Sequence, residues 1–191
     1  AFGGNVVAPI VSNTMPQMAT VRPGILAPAA VRKAPAPEIL EVSTDNLPDE
    51  RVERVSFRKE DEGEAARIET ADIVVGFGMG IGDGEKLEKI REFAALLDAP
   101  LVTTRDCTDA GWISKLHQVG LTGRSISPKL YFAIGIQGAF EHTVGIQRSD
   151  TIVALNNDPQ AWMWECADYG LEGDWEEILP KLTEGLRKAK R

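Results

Sequence analysis

The residues with chemistry to offer sit in short segments rich in glycine, hydroxyl and amide groups. The first is Gly76-Phe77-Gly78-Met79-Gly80-Ile81-Gly82-Asp83-Gly84, five alternating glycines. Glycine allows positive φ and lets a phosphate reach bare backbone N–H groups at a helix start. No register satisfies GxGxxG or GxxxxGK[ST], so the usual dinucleotide and P-loop fingerprints are absent. The second is Thr104-Arg105-Asp106, where a guanidinium would face a planar anion or pair with Asp106 or Asp109 on the surface. The third, Gln118-Val119-Gly120-Leu121-Thr122-Gly123, brackets a hydroxyl with glycines. It presents Thr122 to a ligand or is a plain turn. In the fourth, Gly135-Ile136-Gln137-Gly138-Ala139-Phe140-Glu141-His142, small residues expose N–H groups suited to a pyrophosphate. His142 follows, and a lone histidine is more often structural than catalytic. The fifth, Leu155-Asn156-Asn157-Asp158-Pro159, offers polar groups to ribose hydroxyls or simply forms a turn. Asp174 reads most simply as a helix N-cap. Two isolated histidines support no Ser-His-Asp or Cys-His arrangement, and no metal-ligand spacing occurs.

The elements that must hold these segments alternate strand and helix. Ile73-Val74-Val75 reads as a buried strand before the first segment. From Glu85 to Asp98, Leu87, Ile90, Phe93, Ala94 and Leu97 share one helical face. Pro100–Thr104, Leu130–Ile136 and Thr151–Leu155 read as further strands, with a helix from Gly138 to Ile146. A last helix starts near Trp175, with Ile178, Leu179, Leu182 and Leu186 inward and Pro180 expected to bend it. The pattern predicts an α/β fold, a Rossmann-like parallel sheet with helices on both faces. Such sheets bind ligands beyond the carboxyl ends of their strands, where the five segments fall.

Ahead of this domain (63–191) the sequence predicts a short β arm and a linker. Residues 1–27 hold two apolar runs, Val6–Val11 and Met18–Val21, readable as strands closing an N-terminal domain, though two strands alone are marginal. Residues 28–62 read as an extended linker, with Pro28, Pro35 and Pro37, followed by an edge strand at Val52–Phe57. A formal net charge of −8 argues against a nucleic-acid or anionic-membrane partner, and no apolar run is long enough to insert in a membrane. Cys107 and Cys166 suggest neither a disulfide framework nor a metal pair.

Taken in order, these segments resemble electron-transfer flavoprotein alpha subunits. The resemblance is carried by Gln118–Gly123, Leu130–Ile136, Ala167-Asp168-Tyr169-Gly170, Thr151–Pro159 and Asp109-Ala110-Gly111. Ala1–Asn5 and Pro16–Gly24 resemble the close of that family's first domain. The resemblance implies one FAD and a carrier role rather than an enzyme. It implies a beta-subunit partner, flavin dehydrogenases such as those of fatty acid β-oxidation as donors, and a quinone oxidoreductase or similar acceptor. The setting would be the bacterial or archaeal cytoplasm, or the mitochondrial matrix. Arg105 matches the arginine against the isoalloxazine ring, Thr122 the hydroxyl near N5, and His142 the histidine near the C2 carbonyl, where proton uptake on reduction is expected. Val119, Gly120 and Leu121 belong to the Thr122 loop. Gln137, Gly138, Ala139 and Phe140 match the loop beside the pyrophosphate and ribityl chain, and Asn156, Asp174 and Trp175 the adenosine end. Thr104 stands where serine is common. Met79 stands where arginine is usual, Gln137 where serine is, and Leu121 and Glu141 where glutamine is. The competing readings are an NAD-binding oxidoreductase domain and a flavin-free scaffold that only binds a partner.

Overall fold

In a computed structural model the described residues are 7–21, 30, 36, 38–43, 55–57 and 63–189. The chain divides into two units, Leu26–Asp61, and Ala1–Ile25 with Glu62–Arg191. In the first unit, residues 38–43 and 55–57 are exposed and without regular structure, so Val55–Phe57 is not a strand. Val52–Arg54 and the proline positions lie outside the described residues, as do Ala1–Asn5, Pro23 and Gly24. In the second unit, Val7–Val11 and Met18–Val21 are exposed and irregular rather than strands. An apolar run needs a partner edge and a covering layer to stay extended and paired.

The sheet is five-stranded and wholly parallel, in the order β2-β1-β3-β4-β5. The strands are β1 (Ile73–Phe77), β2 (Leu101–Thr103), β3 (Leu130–Ile134), β4 (Ile152–Asn156) and β5 (Tyr169–Glu172). The helices are α1 (Leu87–Leu96), α2 (Arg105–Asp109), α3 (Phe140–Thr143) and α4 (Trp175–Ala189). Because both faces are covered, β1 is apolar at every non-glycine position rather than alternating. Its residues still part by face. Val74 joins Val102, Tyr131, Ala133 and Ala154 in one core. Val75 and Phe77 join Leu101, Ile134 and Leu155 in the other, beneath α1 and α4. The buried positions of α1, Leu87, Ile90, Phe93 and Ala94, are the predicted stripe. Short turns cover the opposite core, among them a 3-10 helix at Gly63–Arg67 and the segment around Ile146.

Gly76 interrupts β1 for a packing reason. A Cβ there would lie 1.9 Å from the Tyr131 hydroxyl on β3. Glycine makes the room in which that buried phenol lies. α4 runs through Pro180, and Asp174 caps it, its Oδ1 accepting from the Glu176 N–H at 2.9 Å.

The chain passes from β1 outward to β2, then crosses to β3 on the other side of β1. The loops after β1 and β3 therefore leave in opposite directions. This is the topological switch point where doubly wound sheets open a crevice.

Candidate functional site

A cleft of about 390 Å³ lies at this switch point. Its floor is backbone. The Gly80 N–H donates to Gly135 O at 2.9 Å, and a Cβ on Gly78 or Gly80 would come within 2.6 or 2.7 Å of that same carbonyl oxygen. The glycines of the first segment thus let the β1 and β3 loops meet backbone to backbone. Gly138, at φ 88°, serves a similar purpose, since a Cβ there would sit 2.2 Å from Met163 N. The N–H groups of Gly138 and Ala139 donate to no described acceptor.

Around that floor the structure gathers Met79, Thr104, Arg105, Val119, Thr122, Gln137, Gly138, Ala139, Glu141, His142 and Asn156. Arg105 opens α2, and its Nε pairs with Asp109 Oδ2 at 3.0 Å, one turn on. The ligand-facing position and the surface pair, alternatives in the sequence, are both occupied by one side chain. Asn156 spends both ends of its amide internally. Nδ2 donates to Ile136 O at 2.9 Å, and Oδ1 accepts from the Asp158 N–H at 3.0 Å. Gln137 Nε2 donates to Asp158 Oδ2 at 3.1 Å, joining the loops after β3 and β4.

His142 is 4 % exposed. Its Nδ1 lies 3.1 Å from Val119 O, and its Nε2 lies 2.9 Å from the Tyr131 hydroxyl. A carbonyl only accepts, so Nδ1 carries the proton and Nε2 accepts from the phenol. Burial holds the imidazole down at about pKa 4, against the weaker opposing pull of the Val119 carbonyl. Burial alone pushes the Tyr131 phenol well above its usual value. Both ring nitrogens are engaged and the ring is neutral near pH 7. Proton uptake at His142 would therefore have to occur at Nε2 and displace the hydrogen bond from the Tyr131 hydroxyl.

The other predicted site residues lie off the cleft wall. Gly120 is buried at φ 140°, and a Cβ there would meet Glu141 O at 2.2 Å, so it seats the loop on α3. The Leu121 N–H donates to the same carbonyl at 2.6 Å. The Leu121 side chain is half exposed, as is Phe140, which lines a separate depression with Val144, Ile152 and Cys166. Trp175 is 6 % exposed in the core beneath the sheet, with the Lys89 ammonium 5.9 Å from its ring. Asp174 is the cap of α4.

Sequence reasoning did not single out Gln118 as a site residue. It is buried in the wall, and its Nε2 donates to Thr122 Oγ1 at 2.9 Å. The spacing of four residues across a glycine turn was the available signal. Asp106, Asn157 and Asp158 also line the cleft.

Residues 67–147, which supply most of this wall, match the electron transfer flavoprotein FAD-binding domain. The whole chain is 41% identical, over 192 residues, to electron transfer flavoprotein subunit alpha of Thermoanaerobacterium thermosaccharolyticum. The chain belongs to the electron transfer flavoprotein alpha-subunit family. It is also 38% identical over 97% of its length to protein FixB of Bradyrhizobium diazoefficiens. Over 95% of its length it is 37% identical to subunit LctC of the lactate dehydrogenase (NAD(+),ferredoxin) of Acetobacterium woodii. It spans 58%, 51% and 44% of these three relatives, respectively.

The cofactor of the matched domain is FAD. The residues present fit a flavin nucleotide in their donors: backbone N–H groups at 138 and 139, the hydroxyls of Thr104 and Thr122, and a glycine floor with no side chain to obstruct it. The wall holds one guanidinium, from Arg105. Among the described residues no helix is long and apolar enough to cross a membrane, and no group of three or more metal-ligating side chains occurs.

Proposed function

We propose that this chain holds one FAD in the switch-point cleft and works as an electron carrier, not as an enzyme that transforms a substrate. The observation that carries this reading is the position of the cleft. It lies between the β1 and β3 loops, and most of its lining comes from the residues matched to the FAD-binding domain. The flavin supplies the redox chemistry, and the protein supplies binding, orientation and electrostatic tuning. In this reading the Gly138–Ala139 backbone meets the pyrophosphate, Thr122 and Arg105 approach the ring, and Met79, Gln137 and Asn156 border the nucleotide. Gly120, Leu121 and Phe140 act by setting the loops, and Trp175 and Asp174 by fixing α4. Donors are flavin dehydrogenases, including those of fatty acid β-oxidation, and the acceptor is a quinone oxidoreductase or another redox protein. The bacterial sources of the relatives support a cytoplasmic setting.

Arg105 provides the test of the flavin reading. A cation beside the ring favours states in which the ring gains negative charge. A charge-assisted contact is worth about 1 to 3 kcal/mol, and a tenfold change in a one-electron couple is about 59 mV. Because Asp109 shares the guanidinium, the low end applies. Arg105→Ala is expected to lower the first potential of the bound flavin by tens of millivolts in a redox titration. An unchanged potential removes Arg105 from the flavin environment.

The proposed partner is a beta subunit, as expected of an alpha-subunit family member. Co-expression with the beta subunit from the same genome should yield one-to-one complexes on gel filtration with light scattering. Two separately eluting proteins at micromolar concentration would refute the pairing.

A further inference from the structure

The charge of the cleft opposes the charge of the ligand proposed for it. Its lining contains one cationic side chain, Arg105, and three carboxylates, Asp106, Glu141 and Asp158. Arg105 is already paired with Asp109. Among the described residues, neither Glu141 nor Asp106 has an ion-pair partner within salt-bridge distance. Among the described residues the Asp158 carboxylate accepts only from neutral groups, the Gln137 amide at 3.1 Å and the Gln160 N–H at 2.9 Å. His142 adds no positive charge, since its ring is locked between the Tyr131 hydroxyl and the Val119 carbonyl. The glycine-rich loop contributes Met79, an uncharged side chain 46% exposed. FAD brings a doubly charged pyrophosphate into this lining.

We propose that Glu141 is a specificity-determining residue: it makes the cleft select against negative charge on its occupant, so that FAD is held by neutral donors against a net electrostatic repulsion. This rests on the flavin reading above. A site that captures an anion through cations weakens as salt rises, because salt screens attraction. Here the sign reverses, because salt screens repulsion between the carboxylates and the pyrophosphate. Glu141 and Asp106 are both exposed at the wall and without an ion-pair partner among the described residues, whereas Asp158 hydrogen-bonds the Gln137 amide; Glu141 is the one that shares its segment with the Gly138 and Ala139 N–H groups. The same charge would resist further negative charge arriving on the ring.

The experiment is a FAD titration of the complex with its beta subunit, read by quenching of flavin fluorescence, at low and high NaCl. The samples are wild type, Glu141→Gln, and the control Glu177→Gln, an exposed acid on α4 away from the cleft. Riboflavin, which lacks the pyrophosphate, is titrated in parallel. Wild type should bind FAD more tightly at high salt. At low salt Glu141→Gln should bind about 3- to 10-fold more tightly than wild type, as expected for one removed like charge at a protein surface. It should also lose most of the salt dependence. Glu177→Gln should track wild type, and riboflavin binding should vary little with salt. Wild-type affinity that falls with salt, or a Glu141→Gln variant matching wild type at both salts, overturns the inference and leaves the flavin reading intact. A folded complex that binds no FAD at either salt overturns both.

Discussion

Acidification from pH 6.5 to 4 is expected to cost the fold about 3 kcal/mol through His142 alone. The imidazole is buried between Tyr131 and Val119, and burial depresses its pKa from 6.5 to about 4. The unfolded chain therefore takes up a proton at this residue at a higher pH than the folded chain does. Above pH 6.5 both states are neutral and the stabilisation is fully present. As pH falls below 6.5 the unfolded state is protonated first, and stability drains until the folded state also titrates near pH 4. Carboxylates titrate in the same window, so the comparison must be made against His142→Gln, which keeps a donor and an acceptor but cannot gain a proton. Urea unfolding at a series of pH values should show wild type losing about 3 kcal/mol more than the variant across this interval. Parallel curves would mean that His142 titrates like a solvated histidine and that the Tyr131–His142–Val119 chain is not formed.

This lock also shows how much of the site the sequence made visible. From the sequence, His142 reads as structural or cofactor-facing, and nothing local decides between them. Its partners come from β3 and from the loop at 119, and the space for Tyr131 is made by a glycine in β1. Tertiary packing of that kind leaves no periodic signature. Arg105 is the opposite case. Its pairing with Asp109 follows from a spacing of four residues once Arg105–Asp109 is helical. The helix itself, five residues of mostly polar type, carried no apolar stripe by which to recognise it.

The central strands and α1 were legible because burial on both sides or along one stripe writes itself into residue type. β5 was not. Tyr169–Glu172 lies at the sheet edge with only Leu171 partly covered, so neither an apolar run nor an alternation marks it. The predicted helix from Gly138 to Ile146 shrinks to α3 because Gly138 is held at φ 88° against Met163 and the chain turns again after Thr143. In the arm, Val7–Val11 and Met18–Val21 are exposed and irregular although their residue types suit extension. The five polar segments, by contrast, do meet at one place. Strand order brings them there: each follows a parallel strand or packs on the loop of one, and all parallel strands of a sheet end on the same side.

Removing FAD should leave the fold intact and the cleft open, because the loops are already held without it. The Gly80–Gly135, Asn156–Ile136 and Gln137–Asp158 bonds fix the floor and one wall, and Gln118 fixes Thr122 in the other. Such pre-organisation limits the ordering cost of binding. The decisive measurement is therefore a titration of the flavin-stripped complex with FAD, following fluorescence quenching and return of the visible flavin bands, with far-ultraviolet circular dichroism as a check on folding. The predicted result is saturation at one FAD per alpha chain, with no change in secondary structure. A folded complex that stays colourless, or that saturates equally well when Thr122→Val and Gly138→Leu are introduced together, would contradict the placement of FAD in this cleft.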